Sequence, residues 1–374
     1  MNQRLLELAM KGEKSKMTEF TAAHHALLER FAAMSAAAGA RSDYVQGGGG
    51  NTSVKLPGGL MAIKASGYCL SDVTAESGYA VLDGAALRQF YETHEAADFT
   101  DAEQAGAACC REHTKAIEGL PALRPSVEAG FHSLLSTFVC HTHSVYANLA
   151  CCARSCRAIA ERAFAGADYA WGWVPYTDPG AHLTFAVRDE LRRVQAQSGR
   201  RPAVILMQNH GIIVHDDDER RCLAIHKDAN ERIAQQFGLH DGSFPPVAVR
   251  PLADGLYAAD APALTAALAS GRYDYETLLA QPLYPDQMVF LTGTLFENRR
   301  TLASGEASVD FSDGSLLMRM SARRARTLTE TLAAVVFIRD TLQAAGCPLS
   351  TMGEAARQFI ANWESERYRK SLAK

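Results

Sequence analysis

The stretch FVCHTHSVYAN, residues 138–148, sets two imidazoles, His141 and His143, one residue apart at the end of a short apolar run. In an extended strand, side chains two residues apart leave the same face. If Phe138 to His141 is a buried strand, both rings aim at one point and can grip one ion. The plainer alternative is a pair of hydrogen-bonded polar groups at a strand end. A third imidazole bears on the choice. VILMQNHGIIVH, residues 204–215, places His210 after the apolar run Val204 to Met207, with Gly211 next to permit a close backbone turn. Three imidazoles with an open fourth position describe a catalytic rather than a closed structural zinc site. Imidazole also suits manganese, cobalt or iron, so zinc is one divalent transition metal among several that fit.

A Lewis-acidic ion on a carbonyl still needs a base. Glu128, in RPSVEAGFHSLL (residues 124–135), lies ahead of His141 on the first turn of a helix expected over Ser126 to Ser136. A carboxylate there can take a proton from the carbon beside a polarised carbonyl, or simply complement the helix dipole. His132, one helical turn further on, could orient Glu128 or simply be a packed polar residue, and the plainer reading is preferred. QGGGGNTSVK, residues 46–55, offers consecutive backbone N–H groups with little side-chain obstruction, followed by Asn51, Thr52 and Ser53 as donors. Such a loop can cradle phosphate or be an ordinary flexible turn. IKASG, residues 63–67, repeats the theme with Lys64, Ser66 and Gly67, and Ser126 stands beside Glu128. Together they suggest an anion held by dipoles and hydroxyls.

Composition narrows the function classes. The 374 residues are 47% hydrophobic and 21% charged with a formal net charge of −4, enough for a substantial core of one or two domains. No excess of Lys or Arg points to nucleic acid or to a membrane surface. The opening MNQRLLELAMKGEKSK lacks the apolar segment of a signal peptide, and no run of about 18 apolar residues exists to span a bilayer. A soluble, cytoplasmic protein with a small-molecule partner is expected. The nine cysteines are read as reduced thiols packed in Ala-rich helices; a soft-metal cluster of Cys151, Cys152 and Cys156 is the lesser alternative.

Strand and helix patterns alternate up to about residue 240. Helices are expected over Thr18 to Ala38, Gly84 to His94, Ala102 to Ile117, Ser144 to Phe164 in two pieces, from TDPG to Gln197, and Asp217 to Phe237. Strands are expected over Thr52 to Leu56, Leu60 to Lys64, Tyr79 to Leu82, Tyr169 to Val174, Ala203 to Met207 and Gly211 to Val214. The Pro245–Pro246 pair marks a boundary, giving a catalytic domain over 1–243 and a smaller α/β appendage over 244–374. In the appendage a helix is expected over Pro262 to Ala269, strands near Gln287 to Leu291 and Ser315 to Met318, and long helices over Ala322 to Ala345 and Thr351 to Leu372.

Taken in order, GGGGNTSVK (47–55), IKASG (63–67), PSVE (125–128), HTH (141–143) and QNHG (208–211) resemble the class II aldolase/adducin superfamily, which includes fuculose-phosphate and rhamnulose-phosphate aldolases. VPYTDPG (174–180), YPDQMVF (284–290) and WESERYRK (363–370) are similar to a longer subgroup, the aldolase part of bifunctional rhamnulose-phosphate aldolase/dehydrogenases. The resemblance implies an α/β/α layered fold around a central mixed, largely antiparallel sheet, with His141, His143 and His210 as zinc ligands and Glu128 as acid/base. It implies that Asn51, Thr52, Ser66, Gly67 and Ser126 hold the substrate phosphate. The implied reaction makes or breaks a ketose 1-phosphate from dihydroxyacetone phosphate and an aldehyde through a metal-stabilised enediolate. It further implies a homo-oligomer, as in tetrameric relatives, in which a neighbour's tyrosine protonates the aldehyde oxygen; Tyr176 is the candidate. Pentulose-phosphate 4-epimerase chemistry, or a lyase or decarboxylase acting on a sugar-acid-derived substrate, is the alternative enzyme reading. A non-catalytic adducin-like assembly module is the alternative of another class. Val127 stands where small aldolases carry a second hydroxyl before the glutamate, which removes one donor from the anion pocket.

Overall fold

A computed structural model describes residues 18–362. The opening segment, WESERYRK and the latter part of the expected terminal helix lie outside the described residues. Strands β1 (Asn51–Lys55), β2 (Leu60–Lys64), β3 (Tyr79–Asp83), β4 (Thr114–Lys115), β5 (Phe138–Thr142), β6 (Ala170–Val174), β7 (Pro202–Met207) and β8 (Gly211–Asp216) form one sheet in the order 4-3-2-1-5-8-7-6. Every pairing in it is antiparallel except β6 with β7. Helices α1 (Glu19–Gly39), α2 (Gly84–Thr93), α3 (Ala102–Glu112), α4 (Ala129–Leu134), α5 (Val145–Cys151), α6 (Cys156–Ala163), α7 (Ala181–Ser198) and α8 (Glu219–Gln235) cover its two faces.

The two-residue alternation of the strands sorts the core. Met61, Ile63, Val139, Ile205 and Ile213 pack with α2, α3, α4 and α7, while Val54, Ala62, Cys140, Val204, Leu206 and Val214 pack with α1, α5 and α8. Burying each large aliphatic side chain is worth about 1.5–3 kcal/mol, and a one-residue slip would exchange the faces, so both layers specify the register. Side-chain caps fix the helix starts: Thr18 accepts from the Thr21 N–H, Asp83 from Ala86, Asp101 from Gln104 and Asp218 from Arg220.

Two helices are shorter than expected. α3 stops at Glu112, because Thr114 and Lys115 pair with β3 and the His113 ring meets the Cys109 carbonyl at the helix end. α4 starts only at Ala129, because Pro125 forms a bridge with Ala65 that holds residues 125–128 as a loop. Lys55 ties this short helix to the sheet: its Nζ donates to the carbonyls of His132 at 2.6 Å and Ser136 at 3.2 Å.

Beyond the double proline, β9 (Ala248–Ala253) and β10 (Leu256–Asp260) lead into α9 (Pro262–Leu268), α10 (Tyr275–Ala280) and α11 (Pro285–Leu291). Then follow β11 (Leu295–Glu297), β12 (Glu306–Asp310), β13 (Ser315–Arg319), α12 (Ala322–Ala344) and α13 (Glu354–Asn362). The strands form a second sheet in the order 11-12-13-10-9. The strand expected near Gln287 to Leu291 is a helix; Pro285 occupies its first turn with Asp286 beside it, a helix-start pattern that outweighs the apolar run. α12 packs against α5 on one side and β9 and β10 on the other, and its apolar residues join the core beneath the first sheet, which runs unbroken across residues 243 and 244. Among the described residues no helix is long and apolar enough to cross a membrane.

Burial, with Arg88 and Arg201 nearby, pushes the Lys55 ammonium down to about 7 from its ordinary 10.5. Between those values the unfolded chain binds more protons than the folded one, so this residue's contribution to stability rises with pH across that window. The stability of the wild type relative to Lys55→Met is expected to grow from pH 7 to pH 9 in urea unfolding; a constant difference would refute the assignment.

Candidate active site

β1 and β5 pair so that Asn51 lies opposite His141. Their side chains share the face covered by α4, where the Phe131 ring meets the His141 ring edge-on. His143 follows two residues on. The β7–β8 turn, residues 208–210, brings His210 to the same place, and Gly211 is needed there because a Cβ would strike the Thr142 carbonyl and come within 3.2 Å of the His143 Cα. The three rings stand with centroids 4.9, 5.0 and 5.1 Å apart, and one ligand nitrogen from each lies within 4.8 Å of the others.

The partners of these rings set which nitrogens are free. His141 Nδ1 donates to the Ile212 carbonyl at 3.0 Å, and His143 Nδ1 to Asp286 Oδ2 at 2.6 Å. A carbonyl and a carboxylate only accept, so in the neutral rings both Nε2 atoms carry lone pairs, and these face each other at 3.2 Å. Burial pushes the His141 imidazole down to about 3 against the pull of the Glu128 carboxylate. At that separation the two Nε2 atoms either share a proton or turn both lone pairs on a bound cation. Glu128 adds its carboxylate, with Oε1 3.2 Å from His210 Nε2 and Oε2 3.5 Å from His141 Nε2. Among the described residues Glu128 Oε1 is buried and accepts no hydrogen bond. Three convergent imidazole nitrogens beside a buried carboxylate oxygen are a donor set that fits a divalent transition ion.

Glu128 is oriented through a buried chain of hydrogen bonds. Ser53 Oγ meets His132 Nδ1 at 2.7 Å, His132 Nε2 bonds Asn51 Oδ1, and Asn51 Nδ2 donates to Glu128 Oε2 at 2.5 Å and to Ser126 Oγ at 3.1 Å. His132 therefore reaches Glu128 through Asn51 as well as packing against Phe131, the orienting role that the sequence offered only as the lesser alternative. Burial raises the Glu128 carboxyl, but the facing His141 and His210 imidazoles outweigh it and hold the group well below the ordinary carboxylate range. It is the ionised, proton-accepting form.

Asn51, Ser66, Gly67 and Ser126 line one cavity of about 40 Å3 together with Glu128, His143 and His210. Lys64 Nζ donates to the carbonyls of Gly48, Ala65 and Tyr68, knitting the two glycine-bearing loops together. Thr52 is not brought in: alternation along β1 turns it to the opposite face, where its hydroxyl meets Ser35 of α1 at 2.6 Å. Tyr176 also lies outside this lining, its hydroxyl donating to Asp178 at 3.1 Å. Cys151, Cys152 and Cys156 are free thiols packed in the core. A larger cleft of about 630 Å3 shares Ser126 and Val127 with the site but contains no imidazole, so chemistry rather than size locates the centre.

The appendage supplies what sequence reasoning missed. Asp286 of α11 is fully buried against His143. Asn209, at φ 51°, holds the His210 turn by donating to the Leu283 and Ser350 carbonyls, each at 2.8 Å. The acidic residue after Pro285 was the available signal for Asp286. Nothing local marks the carbonyls that anchor Asn209.

The Class II Aldolase and Adducin N-terminal domain family matches residues 29–236, more than half of the chain. No curated protein matches at a significant level. Among solved structures, the N-terminal class II aldolase domain of a conserved protein from Thermoplasma acidophilum is similar at 20% identity and a TM-score of 0.45, covering 56% of this chain and 92% of that one. An aldolase II superfamily protein from Pseudomonas syringae gives 14% and 0.40, covering 62% and 78% respectively. L-fuculose-1-phosphate aldolase from Thermus thermophilus gives 14% and 0.33, covering 57% and 94%. With its family-matched region carrying both the layered sheet and the imidazole cluster, the chain belongs to the class II aldolase and adducin family.

Proposed function

We propose that this chain is a divalent-metal-dependent aldolase that cleaves or forms a ketose 1-phosphate from dihydroxyacetone phosphate and an aldehyde. The observation that carries the reading is the convergence of the His141, His143 and His210 nitrogens beside Glu128, whose Oε1 accepts no hydrogen bond among the described residues, next to a cavity lined by hydroxyl and amide donors. These three histidines would hold the ion, zinc in this reading. A bound divalent ion supplies Lewis-acid polarisation of a carbonyl, worth several kcal/mol of charge stabilisation.

The chain's own residues do the rest. Ser66 and Ser126 offer hydroxyls, and Gly67 and Asn51 polar groups, to a phosphate. Val127 brings no donor, so the pocket relies on these. Glu128 takes the proton from the carbon next to the polarised carbonyl on Oε1, while Asn51 holds Oε2 so that the carboxylate keeps its aim. Tyr176 enters the reading only from a neighbouring copy in a homo-oligomer, as donor to the aldehyde oxygen. The cavity, about 40 Å3, is narrow, and Pro179 and Pro285 form part of its wall. The intact imidazole cluster argues against an assembly module.

The purified chain is expected to carry one divalent ion per protomer, lost in His141→Ala and His143→Ala; elemental analysis checks this, and full metal content in either variant would refute the ligand set. Across a panel of ketose 1-phosphates, a coupled reductase is expected to detect release of dihydroxyacetone phosphate. Inversion at the fourth carbon without release would favour the epimerase instead. Glu128→Gln is expected to keep its metal yet lose about a hundredfold or more in kcat; near-normal turnover would move the base elsewhere.

A further inference from the structure

We propose that Asp286 is a positioning residue of the imidazole centre: through His143 Nδ1 its carboxylate fixes the ring with Nε2 turned toward the ion, so the appendage sets metal affinity. The inference rests on the metal reading above and deepens it.

Several observations meet at this carboxylate. It accepts from His143 Nδ1 at 2.6 Å and is 0% exposed. A fully buried carboxylate is costly unless charge and hydrogen bonds offset it, and packing alone gives no reason to keep an acid where an apolar residue of similar size would fit. The glycine loop is shaped around it. A Cβ on Gly49 would collide with Asp286 Oδ2 and come within 3.1 Å of His143 Nδ1. Gly49, unlike Gly47 and Gly50, has no positive φ to require glycine, so close approach of this acid is what its missing side chain allows.

The three rings are supported differently. His141 takes its acceptor from the first sheet, the Ile212 carbonyl, and His210 Nδ1 is buried without a hydrogen-bond partner among the described residues. Only His143 of the three has a carboxylate on Nδ1, and that carboxylate comes from α11, outside the family-matched residues 29–236. A carboxylate at that position fixes the tautomer, raises the basicity of the ring and offsets ion charge; loss of such partners weakens metal binding by about 10–100-fold. α11 reaches the site because the Leu283 carbonyl anchors the His210 turn and Gln287 ties back to the Leu283 N–H at 2.8 Å. One short segment thus supports two of the three rings.

The test uses the full chain and zinc, with affinity read by competition against a chromophoric chelator. Asp286→Asn keeps size and shape but removes the charge; about 10–100-fold weaker zinc binding is expected, with the urea midpoint of the metal-free protein unchanged. A purely packing role predicts unchanged affinity, and that result would overturn the proposal while leaving the metal reading intact. Failure of the wild type to bind an equivalent of zinc would overturn both. Gly49→Ala attacks the same contact sterically and is expected to weaken zinc binding in the same direction; wild-type affinity there counts against the proposal. If Asp286→Asn does not fold, nitrogen-15 imidazole spectra of the metal-free wild type decide: His143 protonated on Nδ1 supports the role, and protonated on Nε2 overturns it.

Discussion

Three imidazoles crowded around one point beside a buried carboxylate form a demanding arrangement by themselves, and much of this molecule is organised to hold it. An imidazole has two nitrogens and chooses its tautomer by what the other one meets. Here the Ile212 carbonyl and the Asp286 carboxylate make that choice for His141 and His143, leaving opposed Nε2 atoms 3.2 Å apart. Glu128 stands beside the trio with a buried oxygen, Oε1, that among the described residues accepts no hydrogen bond. So many polar groups stay crowded in a buried cluster only when the surrounding core holds them there. Two packed faces of the first sheet supply that core.

The glycine loop shows how the site and the appendage shape each other. Gly47 and Gly50 have positive φ, and Cβ atoms there would meet Thr327 of α12 and the His141 carbonyl. Gly49 instead makes way for Asp286. Glu330, one turn beyond Thr327, is buried; burial raises its carboxyl while Arg326 and the Gly47 backbone draw it back. A run that reads as flexible is therefore held from the appendage side by α11 and α12 and from the sheet side by Lys64. Its glycines reflect close packing as much as backbone freedom.

The hydrogen-bond chain from Ser53 through His132 and Asn51 to Glu128 links β1, α4 and the base. Each member is buried, and burial holds His132 well below the usual imidazole range, so it stays neutral with one donor and one acceptor. That is what a relay between a hydroxyl and an amide oxygen requires. Lys55 holds the far end of α4 from the same strand. The strand that carries Asn51 thus fixes both ends of the segment bearing Glu128.

Much of this was legible along the chain, because it depends on local period. The two-residue spacing of His141 and His143, the apolar run before His210 and the alternation in β1, β2, β7 and β8 are properties of neighbouring residues, and the structure brings those imidazoles together. Alternation even contained the answer for Thr52, whose neighbours Asn51 and Ser53 face His132 while it faces Ser35. Other features were decided only by folding. α3 gave up its last turn to an edge pairing with β3, and an apolar run after Pro285 became a helix that delivers a carboxylate to His143. Those outcomes depend on partners more than a hundred residues away, or on a sheet edge that exists only once the other strands are in place. Short-range patterns fix which residues can share a face; which distant backbone or acid completes a ring's hydrogen bonding is settled by the packing of α11 and α12 on the first sheet.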